Sequence, residues 1–285
     1  MLTETTSVLT VGDRLIQFGY KRKTDIVCNI AFSQRFSTPP WVVVTPAWEN
    51  AGREVGHAET IGRVTQTGVR LYSSNAASNY FVSWIAVGYR RGGTDENVNY
   101  VQVGDLVIEM GKTRKQSVSV TPRLLAGFVQ PPCVQVSPFW DGQRSGVGHA
   151  ETIGRVARDS FDVLSDNSAP NYFVSWLAVG TARAGLRPSA ELPGVWTYWD
   201  FPVGDTLIRT LRIRMRDRGQ LYIALSSAAF AATPTVVLSP FWEGQGRGVT
   251  HAETIDDIGP HYVQRAAGNS GENYFISVLA IGPRS

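Results

Sequence analysis

Apolar positions run along this chain in short blocks, with Gly, Pro and polar clusters between them. Trp41-Val42-Val43-Val44-Thr45 is β-branched and reads as a strand buried on both faces. His57 to Val64 alternates and reads as another strand, ended by Thr67-Gly68. In Asn79-Tyr80-Phe81-Val82-Ser83-Trp84-Ile85-Ala86-Val87, residues of both parities are apolar. A strand with one face in water shows one polar parity, so this one should be covered twice, by its own core and by a neighbour. No segment keeps a 3.6-residue period, and short strands punctuated by Gly and Pro predict a β-sandwich or barrel.

The same pattern is written three times. Val55-Gly56-His57-Ala58-Glu59-Thr60-Ile61 returns as Val147-Gly148-His149-Ala150-Glu151-Thr152-Ile153 and as Val249-Thr250-His251-Ala252-Glu253-Thr254-Ile255. A tryptophan (Trp48, Trp140, Trp242) stands nine residues before each histidine, and Asn-Tyr-Phe begins 22 residues after it, at Asn79, Asn171 and Asn273. A second motif, Val-Gly-Asp, recurs at Val11, Val103 and Val203 and reads as the start of each unit. Matched offsets over such spans predict one module used three times, with units at 1–90, 91–182 and 183–285. Units of this size sit near the lower limit for an independent core, so docking of unit on unit is the expected source of stability. Residues 89–100 and 181–202 read as linkers, and Val195-Trp196-Thr197-Tyr198-Trp199 as an extra strand.

Charge changes this picture little. The chain has 285 residues and a net charge of +3. One dense basic stretch, from Arg209 to Arg218, reads as an amphipathic strand whose charged face is solvated or docked. The equivalent segments hold only Lys21-Arg22-Lys23 and Lys112-Thr113-Arg114-Lys115. That unevenness argues against nucleic acid as a partner. Cys28 and Cys133 fall at different places in their units, so no disulfide belongs to the repeat. No apolar window reaches the length of a membrane span. The opening residues lack the basic and apolar regions of a secretory signal. Cytoplasmic synthesis is the expectation, with a cell surface or a virion as candidate sites of action.

The layout resembles the H-type lectin domain, the module of snail agglutinins and of the C-terminal part of discoidins. Pro39-Pro40-Trp41-Val42-Val43-Val44, the strand at His57, Gly68-Val69 and Phe81-Val82-Ser83-Trp84-Ile85-Ala86 carry the resemblance. Pro131-Pro132-Cys133-Val134 and Phe173-Val174-Ser175-Trp176-Leu177-Ala178 carry it in the second unit. Pro234-Thr235-Val236-Val237-Leu238 and Phe275-Ile276-Ser277-Val278-Leu279-Ala280 carry it in the third. It implies antiparallel sandwiches of six to seven strands, packed as an intramolecular pseudo-trimer. It also implies binding of sugars of the N-acetylgalactosamine or galactose type in clefts between units.

On a strand, i and i+2 share a face, so His57 and Glu59, His149 and Glu151, and His251 and Glu253 are expected side by side. With the loop residues Trp48, Glu49, Trp140, Asp141, Trp242 and Glu243, and with Arg63, Arg155, Asn75 and Asn167, they form the candidate carbohydrate site. Indoles stack on sugar rings, and imidazole and carboxylate hydrogen-bond hydroxyls. Two alternatives stand beside this reading, and a third is excluded. The His and Glu side chains pair across unit interfaces in a structural module of a larger assembly. Or the three histidines hold a metal on a shared axis. A zinc deaminase, whose signature His-Ala-Glu also opens, is excluded because it needs Pro-Cys-x-x-Cys and Pro132-Cys133 has no second cysteine. The expectation is therefore a multivalent, non-catalytic glycan-binding protein without cofactor, with glycans or glycoconjugates as partners and a further homo-oligomer or an assembly partner as additional candidates. In the third unit Ile61-Gly62-Arg63 becomes Ile255-Asp256-Asp257, and Ser83-Trp84 becomes Ser277-Val278.

Overall fold

Each repeat opens on a hairpin whose two-residue turn is a Gly-Asp pair. Val11 pairs with Arg14, Val103 with Leu106, and Val203 with Thr206. Gly12, Gly104 and Gly204 take φ of +59°, +58° and +58°. That conformation suits glycine at the first position of a tight hairpin turn. The Val-Gly-Asp motif is therefore a turn inside each repeat, and an edge strand precedes it. The sequence reading missed that strand in repeat 1, where Thr5-Thr6-Ser7 lies exposed and carries no apolar run, and found it in repeat 3 as the extra strand that starts at Val195.

The computed structural model describes residues 2–52, 54–92, 99–184, 195–216, 221–225, 229–245, 248–266 and 268–285. These form strands and no helix. Repeat 1 holds β1 (Thr5–Val11), β2 (Arg14–Arg22), β3 (Val27–Ala31), β4 (Trp41–Trp48), β5 (Thr60–Thr65), β6 (Gly68–Tyr72) and β7 (Tyr80–Tyr89). Repeat 2 holds β8 (Tyr100–Val103), β9 (Leu106–Arg114), β10 (Ser119–Val120), β11 (Cys133–Trp140), β12 (Thr152–Val156), β13 (Phe161–Leu164) and β14 (Tyr172–Thr181). Repeat 3 holds β15 (Val195–Val203), β16 (Thr206–Arg214), β17 (Leu221–Ala224), β18 (Thr235–Trp242), β19 (Thr254–Gly259), β20 (Tyr262–Ala266) and β21 (Tyr274–Pro283). The segment read as the second linker thus ends in an edge strand, β15; residues 93–98 and 185–194 of the two linkers lie outside the described residues.

Every repeat is an antiparallel sandwich of a four-stranded layer (β1-β2-β7-β4 in repeat 1) and a three-stranded layer (β3-β6-β5). The layers do not stop at the repeat boundary. Each of the three seven-stranded sheets joins four strands of one repeat to three of another: β4 to β19, β11 to β5, and β18 to β12. The joints are parallel and meet at Ala47 with Ile255, Phe139 with Ile61, and Phe241 with Ile153. Repeats 1, 2 and 3 therefore close into a ring, the intramolecular pseudo-trimer.

The ring has its own core. Val43, Ile85, Leu177, Val179, Val237, Leu279 and Ile281, drawn from all three repeats, form one buried cluster. Trp84, Val82 and Ala86 on the other parity of β7 belong to the sandwich interior instead. The double apolar face of the final strand is thus used twice, as its pattern predicted, and β7 is buried throughout.

The basic stretch is largely a docked strand. Arg209 is buried and ion-paired to Asp200 across the β15–β16 pair, and Arg212 lies 4.5 Å over the ring of Phe241. Arg214 is half-buried and Arg216 exposed, and Asp217 and Arg218 lie outside the described residues.

Candidate ligand cleft at the repeat junctions

The five residues His-Ala-Glu-Thr-Ile divide their work. Strand β5 begins only at Thr60, β12 at Thr152 and β19 at Thr254. His57 and Glu59 therefore sit on the loop that enters the strand, and the expected shared face does not exist. The chain bends at Gly56 and His57, so the imidazole stays at the surface while the carboxylate turns inward.

Glu59 is buried with its donors. It accepts hydrogen bonds from Ser73 Oγ at 2.5 Å and Tyr80 Oη at 2.7 Å, and Asn75 Nδ2 approaches at 3.4 Å. Lys23 Nζ stands 3.8 Å away, with both side chains fully enclosed. Glu151 repeats this with Ser165 at 2.6 Å, Tyr172 at 2.7 Å, Asn167 at 3.1 Å and Lys115 at 3.9 Å. A buried carboxylate requires such partners. The environment marks the partners in turn. Burial pushes the Tyr80 and Tyr172 phenols well above their usual range, and the neighbouring Glu59 and Glu151 charges add to it. Burial lowers the Lys23 and Lys115 ammonium groups, against the pull of the same carboxylates.

Repeat 3 reaches the same end by another route. Met215 stands where Lys23 and Lys115 stand, and the cation comes from β20, as Arg265 Nη1 at 2.5 Å from Glu253 Oε2. Tyr274 and Asn269 complete the set. None of these carboxylates pairs with a histidine, so the expected His–Glu pairing across interfaces is corrected: each Glu is bound within its own repeat.

Thr and Ile of the motif hold the ring. Thr60 Oγ1 accepts the Val147 N–H of the next repeat at 2.9 Å, Thr152 that of Val249 at 2.8 Å, and Thr254 that of Val55 at 3.1 Å. Ile61, Ile153 and Ile255 make the parallel joints. Only the histidine is left for the outside. His57 Nδ1 is hydrogen-bonded to Ser74 Oγ. It lines a cleft of about 300 Å³ whose other wall, Arg144-Ser145-Gly146, belongs to repeat 2. Ile26, 58 % exposed, supplies an apolar edge. His251 Nδ1 likewise faces the first repeat, 3.9 Å from Glu54 Oε1. The histidines thus occupy separate junctions and do not converge on an axis. Among the described residues no group of three or more His, Cys, Asp or Glu is placed to hold a metal.

Other candidates lie elsewhere. Trp48, Trp140 and Trp242 are half-buried and meet Tyr80, Tyr172 and Tyr274 edge-on, with ring centroids 5.7, 6.0 and 5.8 Å apart. Trp48 and Trp140 also donate to Asn79 and Asn171 at 3.2 and 3.1 Å. These contacts hold each indole against its own repeat. Glu49 is buried against the Leu2 N–H, while Asp141 and Glu243 are exposed. Asn75 and Asn167 each donate to the backbone of the local histidine, His57 O at 2.8 Å and His149 O at 2.9 Å, as does the overlooked Asn269 to His251 O at 2.9 Å. Arg155 pairs with Asp162 at 3.2 Å, and Arg63 lines a different cavity.

The sequence reading overlooked Arg144, Ser145 and Ser74. A signal for the arginine was present: each loop between Trp and His contains one, Arg53, Arg144 and Arg247, though at unequal distances from the histidine. Arg53 and Arg247 lie outside the described residues. The junctions are not copies, since Ser74 is replaced by Asp166 and Gly268 in the later repeats. Comparison with protein-family models, curated proteins and solved structures returns no match for this chain.

Proposed function

We propose that the chain is a multivalent, non-catalytic carbohydrate-binding protein of the H-type lectin kind, which takes neutral sugars of the galactose or N-acetylgalactosamine type at the repeat junctions. The observation that carries this reading is the cleft at His57. His57, Ser73 and Ser74 of one repeat and Arg144 and Ser145 of the next line a volume of about 300 Å³, beside the exposed Ile26. Hydrogen-bonding groups around one apolar surface match a pyranose ring, which has polar edges and an apolar face. The motif carboxylates are committed to buried partners, which favours binding over acid–base chemistry. Three junctions in one chain turn weak single sites into avidity.

The test is a glycan array with the whole chain, repeated with His57→Ala and Arg144→Ala. Hits on terminal galactose or N-acetylgalactosamine that fade in both variants support the reading. A second reading has its own observation: Glu, Thr and Ile of the motif all serve the ring itself. If no sugar is retained, the chain is better read as a structural module of a larger assembly.

A further inference from the structure

The outer face of the three-stranded layer of repeat 1 carries a charge arrangement that the other two repeats lack. Arg63 on β5 and Arg70 on β6 are direct cross-strand partners. Both are exposed, and both line the same open cavity of about 400 Å³, with Asn29, Thr65 and Thr67 around it. Like charges directly opposite on a sheet repel. The corresponding pair in repeat 2 is Arg155 opposite Asp162, ion-paired at 3.2 Å. In repeat 3 it is Asp257 opposite Gln264, with Asp257 accepting the Tyr262 hydroxyl at 2.7 Å. Only in repeat 1 does the position carry two cations and no acid.

The surroundings leave that charge available. Arg70 Nε donates to Asn29 Oδ1 at 2.8 Å, which fixes the plane of the guanidinium and leaves its terminal nitrogens without a partner among the described residues. Arg63 makes no ion pair among them. Glu4 lines the adjoining cavity that shares Asn29, Ile30 and Ala31, but its carboxylate is taken by Lys21 at 2.8 Å. Arg35, held by Gln66 Oε1 at 3.0 Å from its Nε, adds a third guanidinium near the β5–β6 turn.

We infer that Arg63 and Arg70 form an oxyanion-binding site, for a sulfate, phosphate or carboxylate group. Two planar guanidinium forks on adjacent strands offer paired N–H donors to the oxygens of one such group. The anion supplies the charge that Asp162 supplies in repeat 2. This site lies on an outer sheet face and does not depend on the junction cleft or on its reading as a sugar site.

The experiment follows arginine side-chain Nε–H resonances of the whole chain during titration with sodium sulfate, sodium phosphate and sodium acetate, each against sodium chloride at equal ionic strength. Saturable shifts at Arg63 and Arg70 are expected, and the ranking of the three salts separates tetrahedral anions from carboxylates. Arg63→Gln removes one charge-assisted partner and should weaken binding about tenfold. Arg70→Asp recreates the repeat 2 ion pair and should abolish binding while keeping the fold; Arg155→Gln should leave it unchanged. Shifts no larger than those in chloride, or equal responses in wild type and Arg70→Asp, overturn the site.

Discussion

The Ser137 hydroxyl accepts the Val44 N–H at 2.9 Å and lies 3.2 Å from the Val44 carbonyl, to which it donates. The relationship turns around the ring. Ser239 does the same for Val136 at 2.9 and 3.4 Å, and Thr45 for Leu238 at 2.8 and 3.1 Å. Beyond the single parallel joint, the axial edges of β4, β11 and β18 have no strand to pair with. Three hydroxyls from neighbouring repeats answer their backbone groups instead. Ser137→Ala strands a buried N–H and C=O, and should cost about 1–3 kcal/mol. Denaturant unfolding of the whole chain measures it, and a single transition is expected, since the repeats share one axial core.

The loss of tryptophan in repeat 3 has a partner across the strand. A Cβ at Gly111 would fall 2.2 Å from the Trp176 ring, and Gly111 is the cross-strand partner of Trp176. Gly19 is likewise the cross-strand partner of Trp84, though a Cβ there would meet the Thr5 backbone, whereas repeat 3 sets Leu211 opposite Val278. Large and small have exchanged sides. Trp176→Val should destabilise by about 3 kcal/mol through the cavity it leaves. Gly111→Leu should do so by about 1–3 kcal/mol through overpacking. The double variant should recover part of the sum, with a coupling of about 0.5–3 kcal/mol in a double-mutant cycle. Strict additivity would refute the exchange.

Where the sequence was legible, one physical constraint acted over many residues. The both-sided apolar pattern of 79–87 required two cores, and two cores exist on either side of β7. Where it misled, a local bend decided. The i, i+2 argument for His57 and Glu59 holds only in extended chain, and the loop bends before the strand starts at Thr60. Lys23 was hidden in the run Lys21-Arg22-Lys23. Nothing in three consecutive cations says that the third is buried beneath a carboxylate. The parallel joints were equally unreadable, because each rests on one bridge at an Ile that any core would accept.

The buried cation under the motif carboxylate can be moved. Lys23→Met copies Met215 of repeat 3 but leaves Glu59 without its charge partner, and should cost about 3–5 kcal/mol. Leu71 pairs with Ile61 as Arg265 pairs with Ile255. Adding Leu71→Arg should therefore bring a guanidinium to Glu59 and restore at least half of the loss. Urea unfolding of the single and double variants checks this, and a double variant no better than Lys23→Met would show that the two geometries are not interchangeable.

Alkaline pH should unfold the chain through groups that must stay protonated inside it. Burial, aided by the Glu59 charge, pushes the Cys28 thiol from its ordinary 9.0 up to about 12. Burial also raises the phenols of Tyr20, Tyr80, Tyr172 and Tyr274 above their ordinary 10.0. For these groups the folded value lies above the unfolded one. Their contribution is whole below pH 9 and is lost as pH rises toward 12, because the unfolded chain releases its protons first. Lys23 and Lys115 have the opposite sign. Their folded values lie below the ordinary 10.5, so between the two the unfolded chain holds more protons and stability gains with pH. That gain is complete above pH 10.5, where the loss from thiol and phenols proceeds unopposed. Denaturation midpoints should therefore fall most steeply beyond that point. Tyrosinate absorbance should show the four buried phenols titrating only together with unfolding. Gradual titration of all of them in a chain that stays folded would contradict the enclosed Glu–Tyr networks.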